Sequence, residues 1–376
     1  MLRLWIVSSL LLIGVLVLRG SLEPDARESD VIGVELLADR ETSRLFSGPD
    51  GAQLPVAAVT VTRPTPAGVP ESYFYGRSNG IWRCFSHFGL VGNALAIQEL
   101  LLAATRIETL AVPTDEALAE GDVQGYGLDP NERIRIEFHG AGVRPGTEQL
   151  DVLFAVDLGH ALARGGAFAR TVDTDDVVVL DVDLARGLRR DRSLVQSLTL
   201  AETPPLADPH LIPTAWPSLA SGFKQIFVDH ADGSGYSLED EAIAGLMGDA
   251  PRAAGYTLVD SETGLERATH PVLGTGYTLF LALAPYRAPV DPRTLANSSG
   301  PETVITIQAA DGGICELSIL PAAIGTDRVV INSWSGTAHL VSGEVAKLLA
   351  PSPEQLIDTA LGNPWHEYVL PQQLGR

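Results

Sequence analysis

Lysine and cysteine are both scarce in this chain of 376 residues. Lys224 and Lys347 are the only lysines among 26 basic residues, whereas 47 residues are acidic and the formal net charge is -21. Such a charge argues against nucleic acid and anionic membrane surfaces as partners, because their phosphate groups repel carboxylates. The predominance of arginine over lysine, together with abundant Ala, Gly, Leu and Val, is typical of a GC-rich bacterial genome.

Two cysteines are too few for a disulfide framework. Cys84 and Cys315 each lie in a strand-like run of apolar residues. Two interpretations stay open: a pair of buried small hydrophobic residues, or one long-range disulfide in an oxidising compartment.

Sequence motifs for cofactors and metals are also lacking. The phosphate-binding loop and the H-E-x-x-H zinc motif are absent, and the eight histidines include no pair spaced three or four residues apart. Gly274-Thr275-Gly276 has no third glycine and predicts a turn. We therefore expect no cofactor and no metal site.

One string matches a catalytic motif. Gly76-Arg77-Ser78-Asn79-Gly80 fits the nucleophile elbow G-x-S-x-G, which requires a strand before the serine and a helix directly after it. Residues 81–85 are instead strand-like, so Asn79-Gly80 predicts a hairpin turn. A serine hydrolase that uses Ser78 is kept as the weaker alternative.

Acidic residues cluster at two places. The segment 229–235 has alanine and glycine where a calcium loop needs oxygen ligands, so it predicts a hairpin turn. Asp181 and Asp183 alternate with Val182 and predict one solvated strand face.

The longest apolar segment runs from Leu4 to Leu18 and is flanked by Arg3 and Arg19. It predicts a single transmembrane helix, since the flanking arginines can extend a short apolar span. A cleaved signal peptide is the alternative, but no pair of small residues marks a cleavage site. We expect an inner-membrane protein whose C-terminal domain lies in the periplasm.

Two sets of residues in this segment have separate predicted roles. Small residues let a partner helix approach closely, and these are Ser8, Ser9 and Gly14. The membrane contacts are assigned to Leu4, Trp5, Leu11, Ile13, Leu16 and Leu18.

Beyond the anchor, the pattern predicts a β-rich, antiparallel α+β fold built from duplicated hairpin-plus-helix modules. The alternating strand 130–137 resembles 301–308, and each is followed by two further hairpin strands and a helix. Helices are expected in part of 184–198 and from Leu238 to Met247. The predicted domains are 1–20 (anchor), 31–202 (first module pair), 203–300 (Pro-rich linker with a degenerate hairpin-helix unit) and 301–376 (second copy).

Three stretches carry a resemblance to a known family. They are Gly80-Ile81-Trp82-Arg83 with the following helix 94–104, Tyr126-Gly127-Leu128-Asp129-Pro130 leading into strand 133–138, and the strand-turn-strand segment 169–184. The chain resembles a bacterial domain-of-unknown-function family of single-span extracytoplasmic proteins associated with gliding-motility-type ABC transporters. The resemblance implies an extracytoplasmic domain beside a transporter and supplies no catalytic residues.

The function expected from these observations is that of a non-enzymatic accessory or scaffold subunit in a larger membrane complex, such as a transporter or a respiratory or photosynthetic assembly. Trp216, Trp334 and Trp365 are candidate partner contacts, because exposed tryptophans often mark interfaces. The alternative is a binding module for an extracytoplasmic ligand such as a glycan or peptide.

Overall fold

Two nine-stranded antiparallel sheets form the framework of the protein. The structure is a computed structural model, and its description covers the following residues: 56–65, 68–104, 109–111, 125–140, 152–162, 165–171, 177–188, 203–240, 255–296, 298–322, 325–366 and 368. The predicted anchor Leu4–Leu18 lies outside these residues.

The first sheet has the strand order β4-β3-β2-β1-β6-β7-β8-β9-β5. Its strands are β1 (Ala58–Pro64), β2 (Pro70–Ser78), β3 (Ile81–Cys84), β4 (Leu90–Val91), β5 (Thr109–Ala111), β6 (Ile134–His139), β7 (Val152–Ala161), β8 (Ala167–Thr171) and β9 (Val177–Leu180). Two four-stranded meanders meet where β1 pairs with β6, with Val61 opposite Ile136.

The second sheet repeats that order as β13-β12-β11-β10-β15-β16-β17-β18-β14. Its strands are β10 (Phe223–His230), β11 (Gly235–Asp240), β12 (Tyr256–Asp260), β13 (Glu266–Ala268), β14 (Ala288–Val290), β15 (Thr303–Ala309), β16 (Ile314–Leu320), β17 (Arg328–Asn332) and β18 (Thr337–Val341). Each strand therefore has a counterpart at the same place in the first sheet. The duplicated unit is a whole sheet.

Helices are few in the described residues, and they pack on one face of each sheet. The α-helices are α1 (Ala94–Ala104), α2 (Pro271–Leu283), α3 (Gly343–Leu349) and α4 (Pro353–Ile357). The 3-10 helices are Pro217–Ser221, Pro292–Leu295 and Thr359–Leu361. Helix α1 follows β4, and α2 follows the corresponding strand β13 of the second sheet.

Alternation along the strands places one set of side chains in each core. Ile305 and Ile307 of β15 are fully buried, whereas Val304 and Thr306 on the opposite face are partly exposed. Fully burying such an isoleucine side chain contributes about 1.5–3 kcal/mol of transfer free energy. The first core lies between its sheet and α1, and the second lies between its sheet and α2, α3 and α4. The expectation of a β-rich, antiparallel α+β fold is confirmed.

Several local predictions are confirmed. Asn79 and Gly80 both have positive φ, 52° and 80°, as the two-residue turn between β2 and β3 requires. Asn93 caps α1, since its Oδ1 accepts a hydrogen bond from the backbone NH of Ala96 at 3.0 Å. In the last part of the chain, strands β15 to β18 and helix α3 lie where the alternation placed them.

Four local predictions are wrong. Residues 184–188 form a turn instead of a helix, and the remainder of the predicted helix lies outside the described residues. The helix predicted from Leu238 to Met247 is wrong at residues 238–240, which belong to strand β11, and residues 241–247 lie outside the described residues. The strand predicted to carry Asp181 and Asp183 ends at Leu180, and the carboxylate of Asp183 instead accepts a hydrogen bond from the backbone NH of Ala185.

Gly274-Thr275-Gly276 is the fourth, because it lies within α2 and not in a turn. A Cβ added at Gly274 would lie 2.9 Å from the Tyr256 ring and 2.9 Å from Thr269 Oγ1. This glycine therefore serves close packing of a helix on a sheet. The chain does not reverse direction at this glycine, because the helix continues to Leu283.

Candidate functional site: the junction of the two sheets

The two sheets are joined by residues 203–216, which we call the strap. Leu206 and Ala207 belong to the first core, whereas Leu211, Ile212 and Trp216 belong to the second. Spaced prolines keep this segment out of regular helix and strand. The strap is thus an irregular segment that contributes apolar side chains to both cores.

Backbone hydrogen bonds connect the strap to both halves of the structure. The first half is the first sheet with α1, and the second half is the second sheet with α2, α3 and α4. Ala207 forms a β-bridge with Gly92 of the first half, and His210 forms one with Pro285 of the second. The NH of Leu211 donates to the carbonyl of Ala284 at 2.8 Å. Pairing on both sides fixes the path of the strap between the sheets.

Asp208 is the central residue of the strap and is only 2% exposed. Its Oδ1 accepts from His210 Nδ1 at 2.8 Å, and its Oδ2 accepts from the NH and the hydroxyl of Thr214 at 2.7 and 2.5 Å. Burial by itself would raise the pKa of this carboxyl, but the hydrogen bonds from His210 and Thr214 outweigh burial and hold the pKa below its usual range. Asp208 is therefore a buried carboxylate at neutral pH.

The backbone of Asp208 contacts both halves directly. Its NH donates to the carbonyl of Val91 in β4 at 2.8 Å. Its carbonyl accepts from the hydroxyl of Tyr286, which follows α2, at 2.8 Å. One residue thus connects β4 of the first sheet to Tyr286, which lies between α2 and β14, through two hydrogen bonds.

His339 of β18 extends the polar network into the second core. Its ring packs against Tyr286 with centroids 4.2 Å apart, and its Nε2 lies 2.8 Å from Thr337 Oγ1. Burial lowers the pKa of His339 to about 3, although the Asp208 charge acts in the opposite direction. The imidazole is therefore neutral at physiological pH, and its Nδ1 has no hydrogen-bond partner among the described residues.

Two further side chains donate hydrogen bonds to backbone carbonyls at the junction. Arg83 of β3 donates from Nη1 to the carbonyl of Gly89 at 2.9 Å and to the carbonyl of Ser335 in the other half at 3.0 Å. Asn332 of β17 donates from Nδ2 to the strap carbonyl of Leu211 at 2.7 Å. The junction therefore combines apolar packing with polar contacts from both sheets and the strap.

The hydrogen bonds of the junction connect structural elements to one another. Three cavities of about 450, 410 and 280 Å³ open on described residues, and neither Asp208, Tyr286 nor His339 lines any of the three. A substrate entering one of these cavities would not reach the groups whose pKa values are most perturbed at the junction. The arrangement fixes geometry and binds the halves together.

The candidate partner tryptophans occupy different environments. Trp216 and Trp365 are 3% and 0% exposed and belong to the second core, where Trp365 Nε1 donates to the carbonyl of Leu348 at 3.2 Å. Trp334 is partly buried and packs against the same core. Of the three rings, only that of Trp334 keeps part of its surface in contact with solvent.

Both cysteines are buried free thiols in separate cores. Burial raises the pKa of Cys84 to about 11 and that of Cys315 to about 12. Because both thiols are free, the structure contains no disulfide between Cys84 and Cys315. Ser78, the alternative nucleophile, is the last residue of β2 before the hairpin turn.

The remaining predicted site residues lie outside the described part of the chain: Leu4, Trp5, Ser8, Ser9, Leu11, Ile13, Gly14, Leu16 and Leu18. Within the described part, no helix is both long and apolar enough to cross a membrane. The same residues contain no group of three or more His, Cys, Asp or Glu side chains arranged to hold a metal ion.

Sequence reasoning missed the residues of the junction. The Pro-rich pattern marked the strap as irregular, but no periodicity identifies Asp208 as the one carboxylate there that folds into the interior. The partners Tyr286 and His339 follow it by 78 and more residues. No protein family, no curated protein and no solved structure matches the chain.

Proposed function

We propose that the protein is a rigid accessory subunit that presents two similarly built sheets to a larger membrane complex. The observation that carries this proposal is the junction, where the buried residue Asp208 is hydrogen-bonded to both halves. Buried hydrogen bonds such as those of Asp208 resist rearrangement, because breaking them leaves unpaired polar groups in a low dielectric. Fixed relative placement of two surfaces is what a scaffold needs.

Exposed apolar side chains on the corresponding helices support a role in protein contacts. Leu95 and Leu102 of α1 are 63% and 49% exposed, and Val272 and Leu279 of α2 are 59% and 37% exposed. In each helix the two residues are seven positions apart and share one face. Each half thus presents an apolar helix face to its surroundings.

The apolar segment Leu4–Leu18 completes the proposal. As a single membrane helix it would hold the two sheets next to the partner complex, on the periplasmic side of the inner membrane. Its small residues Ser8, Ser9 and Gly14 would allow close contact with a partner's helix. The partner that we propose is therefore a membrane protein assembly.

The test is extraction of native membranes with several mild detergents, followed by native electrophoresis and detection of the tagged chromosomal protein. We expect a species much larger than the monomer in its micelle. Leu95→Glu and Val272→Glu should shift the protein towards the monomer, whereas Ile314→Glu, at an equally exposed apolar position on β16, should not. A free monomer in every detergent would rule out the scaffold function.

A second candidate, ligand binding, is favoured by one specific cavity. This cavity of about 450 Å³ lies beside α3 and is lined by His230, Glu302, Arg328 and Lys347 among others. Charged groups of both signs suit a small zwitterionic ligand such as a peptide terminus. Saturable binding of short peptides by the full-length protein, lost in Lys347→Ala and kept in Lys224→Ala, would favour this function over the scaffold.

A further inference from the structure

A serine, a histidine and a glutamate form a hydrogen-bonded chain at the edge of the first sheet. Ser86 Oγ lies 3.2 Å from His87 Nδ1, and His87 Nε2 lies 3.1 Å from Glu71 Oε1. Glu71 belongs to β2, and Ser86 and His87 belong to the loop 85–89 between β3 and β4. These are the distances of a nucleophile, its base and the group that orients the base.

Neighbouring donors fix where the protons of this chain lie. Tyr73 donates its hydroxyl hydrogen to Glu71 Oε2 at 2.7 Å, and burial raises the pKa of Tyr73 to about 12, so it remains a donor. The backbone NH of Phe74 donates to Ser86 Oγ at 3.0 Å. Because ionised Glu71 can only accept, His87 carries its proton on Nε2, and Nδ1 is left to accept the Ser86 hydroxyl hydrogen.

Ser86 faces a cavity that contains residues of both halves. The cavity is about 410 Å³ and is lined on one side by Phe85, Ser86 and Phe88 and on the other by Asp291 and Arg293. Ser86 itself is exposed, whereas His87 does not line the cavity and is only 18% exposed in its side chain. Ser86 is thus accessible from the cavity, whereas most of the His87 side chain is buried.

The backbone of the loop is strained at the cavity wall. Phe88 has a φ of 56°, in the left-handed region that a bulky side chain rarely adopts, and it is 41% exposed. Phe88 lines the same cavity as Ser86.

We propose that Ser86 is the nucleophile of an acyl-transfer site for small carboxylic esters, with His87 as general base and Glu71 as the positioning residue. This activity goes beyond the accessory role and does not depend on it. The aromatic rings of Phe85 and Phe88 would receive a short apolar acyl group, since the cavity volume suits a small molecule.

The reaction balances with water as the only co-reactant. Ser86 Oγ attacks the ester carbonyl while its proton passes to His87 Nδ1; the carbonyl–alkoxy bond then breaks, and the alcohol leaves with that proton. Water attacks the resulting acyl-serine, giving one proton to His87, and the carboxylic acid leaves as the proton returns to Ser86 Oγ. Glu71 stays ionised and stabilises the imidazolium formed in each half-reaction.

Cys84 is a competing nucleophile that the structure disfavours. Its Sγ lies 3.5 Å from Ser86 Oγ, but the residue is fully buried and its thiol pKa is raised to about 11 by burial. The thiolate is therefore scarce at neutral pH, whereas Ser86 has both a base and access to the cavity.

The test uses the full-length protein in detergent, a fluorophosphonate probe, and p-nitrophenyl acetate and butyrate as substrates. We expect the probe on Ser86, identified by peptide mass spectrometry, and ester hydrolysis that Ser86→Ala abolishes. Ser78→Ala, the serine of the G-x-S-x-G string, should keep both signals. Glu71→Gln should lower kcat by about 10²-fold with KM little changed, as expected for a positioning residue.

Labelling of the wild-type protein tests whether Ser86 is the nucleophile even if a variant fails to fold. Absence of probe from Ser86 in folded wild-type protein, or equal hydrolysis by wild type and a folded Ser86→Ala, would overturn the proposal. Because no membrane partner is present in this assay, the outcome does not depend on whether the accessory role is correct.

Discussion

The hydroxyl of Tyr286 donates a hydrogen bond to the backbone carbonyl of Asp208 at 2.8 Å, and both residues are buried. Tyr286 belongs to the second half, and Asp208 belongs to the strap. The backbone NH of Asp208 donates a hydrogen bond to the carbonyl of Val91 in the first half. The backbone of Asp208 is therefore hydrogen-bonded both to the first sheet and to the segment that precedes β14 of the second sheet. These two hydrogen bonds are the physical basis of the proposed fixed placement of the two sheets.

Replacing the buried carboxylate should weaken the whole fold. Asp208→Asn puts an amide group where one oxygen now accepts two hydrogen bonds, so we expect a loss of about 2–4 kcal/mol in the free energy of unfolding. Asp229→Asn, at an exposed position of β10, is the matched control and should change it by less than about 0.5 kcal/mol. Urea unfolding followed by tryptophan fluorescence measures both, and equal effects would contradict the role of Asp208.

His339 should make the fold less stable in mild acid. The unfolded histidine binds a proton below about pH 6.5, whereas the folded one, with a pKa of about 3, does not. The depressed pKa gives stability that is complete above pH 6.5 and is lost as the pH falls towards 3. At pH 5 the loss due to this residue is about 2 kcal/mol.

The measurement compares wild type with His339→Gln at pH 7.5 and pH 5. The wild type should lose about 2 kcal/mol more than the variant over this interval, because other titrating groups such as His139 are common to both. An identical pH dependence in the two proteins would show that His339 is not buried as a neutral ring.

The two thiols should be unreactive in the folded protein. Burial raises the pKa of Cys84 and Cys315 to about 11 and 12, so at pH 7.5 the reactive thiolate is almost absent from the native state. A maleimide reagent should label neither residue in native protein and both in urea. Rapid labelling of either cysteine without urea, or retention of a disulfide in urea before reduction, would refute this arrangement.

Gly274 should resist a substitution that normally favours helices. Gly274→Ala places a Cβ within 2.9 Å of Tyr256 and Thr269, so we expect a loss of about 1–3 kcal/mol despite the higher helix propensity of alanine. Thr275→Ala, at the exposed neighbouring position, should be neutral or slightly stabilising. Thermal unfolding of the two variants reports the difference, and stabilisation by Gly274→Ala would disprove the close packing.

The last third of the fold could be predicted because its strands alternate cleanly. In β15 buried and partly exposed positions alternate at every residue, with Ile305 and Ile307 on the buried face, and the turn residues Asp311-Gly312-Gly313 separate it from β16. Local chemistry and tertiary environment agree there. The hairpin at Asn79-Gly80 was predictable for the same reason, since both residues tolerate the positive φ that the turn needs.

Elements that depend on distant packing could not be predicted. Helix α2 contains Gly274-Thr275-Gly276, whose local preference is for a turn, and the nearby Tyr256 ring and Thr269 hydroxyl explain why a glycine is needed at 274. The sequence predicts a helix from Leu238, but strand β11 pairs Leu238 with Leu258. Asp208 is similar: its burial follows from Val91 and Tyr286, which are remote in sequence.

Hydrogen–deuterium exchange of the strap tests the rigid junction most directly. The NH groups of Asp208 and Leu211 donate to Val91 and Ala284 in opposite halves, so peptides covering 206–214 should exchange as slowly as strands β1 and β10 of the two sheets. Exchange at the rate of exposed turns such as 231–234, with the sheets still protected, would show that the halves are joined by a loose linker and would contradict the scaffold proposal.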